Sequence, residues 1–140
     1  FEGPLFIGKN SSTNTLKVDF NHLRIKNKIV KVVQKLFSDV PLFTIIVLEE
    51  KEILAEKIRA LINRSESRDL YDIWMLLSKG AEIDKELIIN KLKEENSSLA
   101  QLKIPSEKEY ERDLKYLINY IPPYEQVKKE VLELINKLKL

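Results

Sequence analysis

Between residues 49 and 77 the chain reads EEKEILAEKIRALINRSESRDLYDIWMLL, two apolar-periodic runs separated by a short polar break. Ile53, Leu54, Ile58, Leu61 and Ile62 recur at steps of three and four, which puts them on one stripe of an α-helix. Lys57, Ala60 and Arg64 share another face of that helix, with the small Ala60 leaving room between the two cations. Glu56 is next to Lys57 but points about 100° away around the axis. Residues 63–67 break the pattern. Ser67 is placed to cap a second helix, and Asp69 then falls in its first turn, where the helix dipole favours a carboxylate. Leu70, Ile73, Trp74 and Leu77 give this second helix its apolar face. Arg68 and Asp72 lie one turn apart on it. The spacing predicts two helices joined by a turn short enough for Lys57, Arg64, Arg68, Asp69 and Asp72 to share one pocket. Charges so spaced are ordinarily a solvated face, with i,i+4 pairs worth a few tenths of a kcal/mol each. Periodicity alone does not choose between such a face and a site.

The rest of the chain is arranged on either side of this pair. Residues 3–8 (GPLFIG) and 15–20 (TLKVDF) read as strands, and the polar residues 9–14 favour a hairpin between them. Leu16, Val18 and Phe20 alternate with Lys17 and Asp19, so Asp19 projects from the face opposite the apolar one. Residues 29–36 (IVKVVQKL) are β-branched and read as extended. Residues 38–41 (SDVP) form a turn signal, and residues 43–48 (FTIIVL) read as a short buried strand. Lys79 and Gly80 end the second motif helix, with a cation in the last turn and glycine at the left-handed stop. Asp84 caps a third helix, to about residue 95, with Ile83, Leu87, Ile88 and Leu92 on one face. Ser106 and Glu109 make a capping box for a fourth, which carries Tyr110, Leu114, Leu117 and Ile118. Pro122 and Pro123 end it and start a fifth, whose stripe is Val127, Val131, Leu134, Ile135 and Leu138. The order predicts an α+β fold: short antiparallel strands at the N-terminus (residues 1–48), then a five-helix C-terminal bundle (residues 49–140).

Composition narrows the class. At 140 residues, 44% hydrophobic and 33% charged, the chain has enough apolar residues for the core of one domain or one lobe of a larger one. A net charge of +2 is too small to imply a nucleic-acid partner by itself. The absence of cysteine excludes disulfides and thiolate metal sites. No apolar run reaches the roughly 20 residues that span a bilayer, and no signal-peptide pattern is present. The expectation is therefore a cytoplasmic protein with no membrane partner. The chain opens on Phe1, inside a strand-like run, and reads as a fragment or a processed product.

Two stretches carry a resemblance. Residues 53–64 (ILAEKIRALINR), followed by residues 68–74 (RDLYDIW), resemble the two C-terminal motifs of the AbiEii/AbiGii family. These are nucleotidyltransferase toxins of abortive-infection and toxin–antitoxin systems, built on the polymerase β-type nucleotidyltransferase fold. The family pattern is an aliphatic residue, two others, Glu-Lys, then Ala and Arg at fixed spacing. A basic or small residue before an Asp, with a second Asp three places on, completes it, and every position is matched here. The resemblance implies transfer of a nucleotide from an NTP, with Mg²⁺, to an acceptor such as tRNA, and an antitoxin protein as partner. It implies Lys57 as a catalytic, phosphate-contacting cation and Asp69 as a catalytic or site-orienting acid. Arg64 and Arg68 join Lys57 as nucleotide-binding residues, with Glu56 and Asp72 in support. Val18-Asp19-Phe20 has the apolar-acid-apolar form of the strand that carries the family's third acid, which makes Asp19 a catalytic and metal-holding candidate. An acid ending an edge strand at the surface has the same form. Tyr71 and Trp74 read as core rather than base-stacking platforms, and His22, the sole histidine, as a surface residue.

The sequence also departs from that family. Nucleotidyl transfer needs metal ions held by carboxylates, a cradle for the triphosphate and cations on the developing charge. Polymerase β-type enzymes supply a glycine turn and then acids at i and i+2 of a strand, a spacing that puts both carboxylates on one face. The eighteen residues ahead of Asp19 hold no glycine pair and no acid-x-acid pair. The expectation is a C-terminal fragment of a nucleotidyltransferase, inactive by itself and with no Mg²⁺ or NTP bound. The alternative is a non-catalytic helical interaction module derived from that family.

Overall fold

The computed structural model describes residues 18, 25–34 and 38–139. The strands expected at residues 3–8 and 15–20 lie outside the described residues, as do Asp19 and His22. Strands β1 (Lys28–Val33) and β2 (Phe43–Leu48) pair antiparallel, from Lys28 opposite Leu48 to Val33 opposite Phe43. Their β-branched residues suit a pleated ribbon. The expectation that residues 43–48 are buried is not met: Ile46 is 71% exposed, and Phe43 and Ile45 are exposed with it. Only Val47 and Leu48 are half-covered, at the end that joins the helices. A continuous apolar run signals a strand with both faces packed, and among the described residues the ribbon has two strands and no covering layer.

Five helices follow: α1 (Glu50–Arg64), α2 (Ser67–Ser78), α3 (Lys85–Glu94), α4 (Glu107–Leu114) and α5 (Tyr124–Lys139). A 3-10 turn at Leu99–Gln101 lies between α3 and α4. The α+β order read from the sequence is the observed one. Helix α2 is the hub: it packs on α1, α4 and α5, while α1 also packs on α3. The apolar stripes named above meet in one cluster, in which Leu54, Ile58, Leu61, Leu70, Ile73, Tyr110 and Ile135 are among the buried members and to which neither strand contributes. No described helix is long and apolar enough to cross a membrane.

The helix ends show which local signals act. Asp84 accepts the Leu87 N–H at 2.9 Å, and Ser106 and Glu109 form the reciprocal capping box. At the end of α2, Gly80 has φ +79, its N–H donates to the Leu77 carbonyl and the Ala81 N–H to the Leu76 carbonyl. These are the paired bonds of a Schellman stop. Three readings are corrected. Ser67 does not cap α2: Glu66 is the N-cap residue, and the Ser67 hydroxyl donates instead to Asp113 Oδ2 at 2.9 Å. Ile83 precedes α3 and is exposed. Helix α4 stops at Leu114, although its periodicity continues to Ile118. Leu117 and Tyr116 are exposed there while Ile118 still packs on the core, and Pro122 disfavours helical geometry just before it.

Candidate functional site

The turn between α1 and α2 brings the expected charges together. Ser65 takes a left-handed conformation (φ 54) and its N–H donates to the Leu61 carbonyl, closing α1 in one residue. That abrupt stop turns the chain so that the first turn of α2 faces the last turns of α1. Asp69 is fully buried there. Its Oδ2 accepts from Arg64 Nε at 2.7 Å, and its Oδ1 accepts from Arg64 Nη2 at 3.0 Å and from Lys57 Nζ at 3.3 Å. Lys57 Nζ also lies 2.6 Å from Asp72 Oδ2. The two cations bridge between this buried acid and solvent, with side chains 30% (Lys57) and 51% (Arg64) exposed.

Both cations open on a cleft of about 370 Å³ that is also lined by Glu56, Arg59, Ala60, Asn63, Asp69 and Glu95. That volume is near the lower end of small-molecule sites, enough for a polyphosphate tail or part of a nucleotide. Burial works against the Lys57 charge, but its hydrogen bond to Asp72 and the charges of Asp72 and Asp69 outweigh it and hold its pKa above 10.5. For Arg64 the hydrogen bond from its guanidinium to Asp69 is the largest cause, and its pKa too is raised. Both groups stay cationic at any physiological pH.

Of the expected residues, Lys57, Arg64, Asp69 and Asp72 are brought together and Glu56 stands on the cleft wall. Arg68 is not with them. It turns away from Asp69 and Asp72, pairs with Glu66 at 3.3 Å, and lines a separate hollow with Asp113, Tyr116 and Leu117. One step along α2 is about 100° around its axis, which separates Arg68 from Asp69, and although Asp72 is only one turn on, Arg68 is taken by Glu66 instead. Tyr71 and Trp74 pack against the core, as read, and Trp74 Nε1 donates to Glu130 Oε2 of α5 at 2.9 Å.

Glu95, outside both motifs, completes the cleft, and Lys91 stands behind its wall. Lys91 of α3 is buried between Glu52 and Glu56, with Nζ 2.6 Å from an oxygen of each. Arg59 joins Glu56 at 2.6 Å and also pairs with Glu95, to which the Asn63 amide donates. The sequence carried one signal for Lys91: it lies four residues after Leu87 and three after Ile88, on the apolar stripe, where a lysine needs a buried partner. Glu95 carried none.

Among the described residues no group of acids and histidines could hold a metal ion. Glu56, Asp69, Asp72 and Glu95 each already face a lysine or an arginine. The described residues therefore do not fit Mg²⁺. The cleft is lined by three cations, Lys57, Arg59 and Arg64, and three acids, Glu56, Asp69 and Glu95, and two of the cations are held in place yet not saturated. An ammonium has one more N–H than the two taken by Asp69 and Asp72, and the Arg64 guanidinium keeps its Nη1 edge free of Asp69.

A family model described as nucleotidyl transferase AbiEii toxin, type IV toxin–antitoxin system, matches residues 5–134. No curated protein and no solved structure matches the chain.

Proposed function

This chain belongs to the nucleotidyl transferase AbiEii toxin family of type IV toxin–antitoxin systems, and from that premise we propose that its α1–α2 cleft holds the triphosphate of an incoming NTP. In this reading Lys57 and Arg64 contact phosphate, and Asp69 is a positioning residue rather than a proton acceptor. The observation that carries it is the buried Asp69 carboxylate, with both oxygens committed to the two cations that open on the cleft. A fully buried acid is costly to keep unless its partners are fixed by it. Here it fixes two cationic heads at one wall of a cavity. Phosphoryl and nucleotidyl transfer are catalysed chiefly by positioning and by cations on the transferring group, so fixed cations are the chemistry required.

The finer reading extends this. The nucleotide is transferred to an acceptor such as tRNA, and an antitoxin opposes the toxin in the cell. Any Mg²⁺ would be held by acids outside the described residues, Asp19 among them. The 140 residues alone are expected to transfer nothing, because no glycine pair and no acid-x-acid pair precedes Asp19. Metal-dependent labelling of total tRNA by the purified chain would contradict that.

The test of the cleft is made in the natural gene product that carries this chain. Lys57→Met and Asp69→Asn are each expected to lower activity on the order of a hundredfold and to relieve growth inhibition. Asp69→Asn leaves two cations that can rehydrate and should change stability by less than about 1 kcal/mol, whereas Lys57→Met leaves the buried Asp69 with Arg64 alone and should cost about 1–3 kcal/mol. Growth inhibition that persists in both folded variants would remove the cleft as the site.

A further inference from the structure

The cleft wall next to Lys57 is set from α3, a helix that neither motif includes. Lys91 is 3% exposed, and its ammonium bridges Glu52 Oε1 and Glu56 Oε1 at 2.6 Å each. Glu52 and Glu56 are one turn apart on α1, a like-charge pair that repels unless a cation lies between them. Glu52 is fully buried and spends its remaining capacity on the chain entering β1. It accepts from the Asn27 N–H at 3.2 Å, the Asn27 side-chain amide at 3.0 Å and the Lys26 N–H at 3.4 Å. Glu56 has a different exposure. It lines the cleft beside Lys57, and its second oxygen meets Arg59 at 2.6 Å. A Glu56 carboxylate released from Lys91 would keep Arg59 on one oxygen and free the other on a wall shared with Lys57 and Arg64.

We propose that Lys91 is a positioning residue for the cleft: it holds the Glu56 carboxylate against α3, so that Glu56 does not compete with an incoming polyphosphate for Lys57 and Arg64. The proposal rests on the cleft reading given above and adds to it a determinant outside both motifs. Lys91 touches no ligand itself. Its effect is electrostatic, through where it keeps one carboxylate.

The experiment is calorimetric titration of the 140-residue chain with inorganic tripolyphosphate. Lys91→Met alone would strand the buried Glu52 charge, so the series starts from Glu52→Gln. Against that background, Lys91→Met should weaken tripolyphosphate binding about tenfold, the effect of one added negative charge near a partly solvated site. Adding Glu56→Gln to that double variant should restore the affinity of Glu52→Gln. A merely structural role for Lys91 would not be undone by neutralising Glu56. Unchanged binding in the folded double variant, or weakened binding that Glu56→Gln does not restore, would overturn the proposal. Glu56→Gln alone, which leaves Lys91 with Glu52, needs no destabilised background. A tenfold tightening there would show that Glu56 already competes, and would equally overturn the proposal. Lys57→Met separates the two readings. If it binds tripolyphosphate like the wild-type chain, the cleft reading fails and this proposal with it. If Lys57→Met weakens binding while the Lys91 series does not, only the role of Lys91 fails.

Discussion

Glu52 and Lys91 tie acid and alkaline stability to one pair of atoms. Desolvation raises the Glu52 pKa, but the hydrogen bonds from Lys91 and Asn27 and the charge of Lys91 outweigh it and leave it below 4.5. A carboxyl depressed in the folded state stabilises above its unfolded pKa, and that stability is lost as pH falls through the folded value. Burial lowers the Lys91 pKa, and the hydrogen bonds and charges of Glu52 and Glu56 more than reverse it, to above 10.5. Its contribution is complete below 10.5 and is lost as pH rises through the folded value. The pair therefore contributes across the range between 4.5 and 10.5. Chemical denaturation of wild type and Glu52→Gln should show a stability gap at pH 7 that narrows as pH drops below 4.5. A gap equal at pH 7 and pH 3 would mean that the Glu52 charge is not what the fold uses. At this scale the sequence was legible only where partners are close in the chain. Lys57, Arg64, Asp69 and Asp72 flank one turn, so helical spacing alone brings them near each other. Glu52 and Lys91 are 39 residues apart by their positions, and only the packing of α3 on α1 joins them.

The elements were legible where a single residue type has a single physical use. Gly80, Asp84 and the Ser106–Glu109 box are such positions, and each acts as its chemistry requires. Gly80→Ala tests the first. At φ +79 an added Cβ would meet nothing within 4 Å, so its cost is conformational alone, about 1 kcal/mol, read as a lower denaturation midpoint. Gly80→Asn should cost less, since asparagine tolerates the left-handed region. A larger loss for Asn than for Ala would show that something other than φ governs this stop. Ser106→Ala should cost a similar amount, about 1 kcal/mol, by freeing the Glu109 N–H. Where the reading failed, tertiary context had replaced the local rule. Ser67 sits one residue past the cap and uses its hydroxyl to reach Asp113 on α4. Helix α4 ends at Leu114 with Leu117 exposed, although Ile118 beyond it still packs on the core. Strand β2 has the composition of a covered strand, and composition carries no information about which layer covers it.

The buried cluster belongs to the helical part of the chain, and that decides what the ribbon can contribute to folding. Every member of the cluster lies between Leu54 and Leu138, and β1 and β2 supply none. We propose that residues 49–139 are a folding unit by themselves. Among the described residues, what they would lose without the ribbon includes the bonds from Asn27 and Lys26 to Glu52, and the bond from the Glu49 N–H to the Asn27 carbonyl. Each such bond contributes about 1 kcal/mol net, against a typical domain stability of roughly 5–15 kcal/mol. Glu52 would keep Lys91, so no buried charge is stranded by the cut. A chain starting at Glu49 should therefore unfold cooperatively, with a lowered midpoint and helical circular dichroism. It should also be less prone to aggregate, because Val30, Val32, Phe43 and Ile46 are exposed on a ribbon that has two strands among the described residues. The measurement is thermal melting of both chains by circular dichroism, with light scattering followed in the same scan. A broad, non-cooperative melt of the shortened chain would show that the ribbon takes part in the core. A cooperative melt with less scattering would mean that the helices carry the fold, and that the cleft built on α1 and α2 can be studied without the strands.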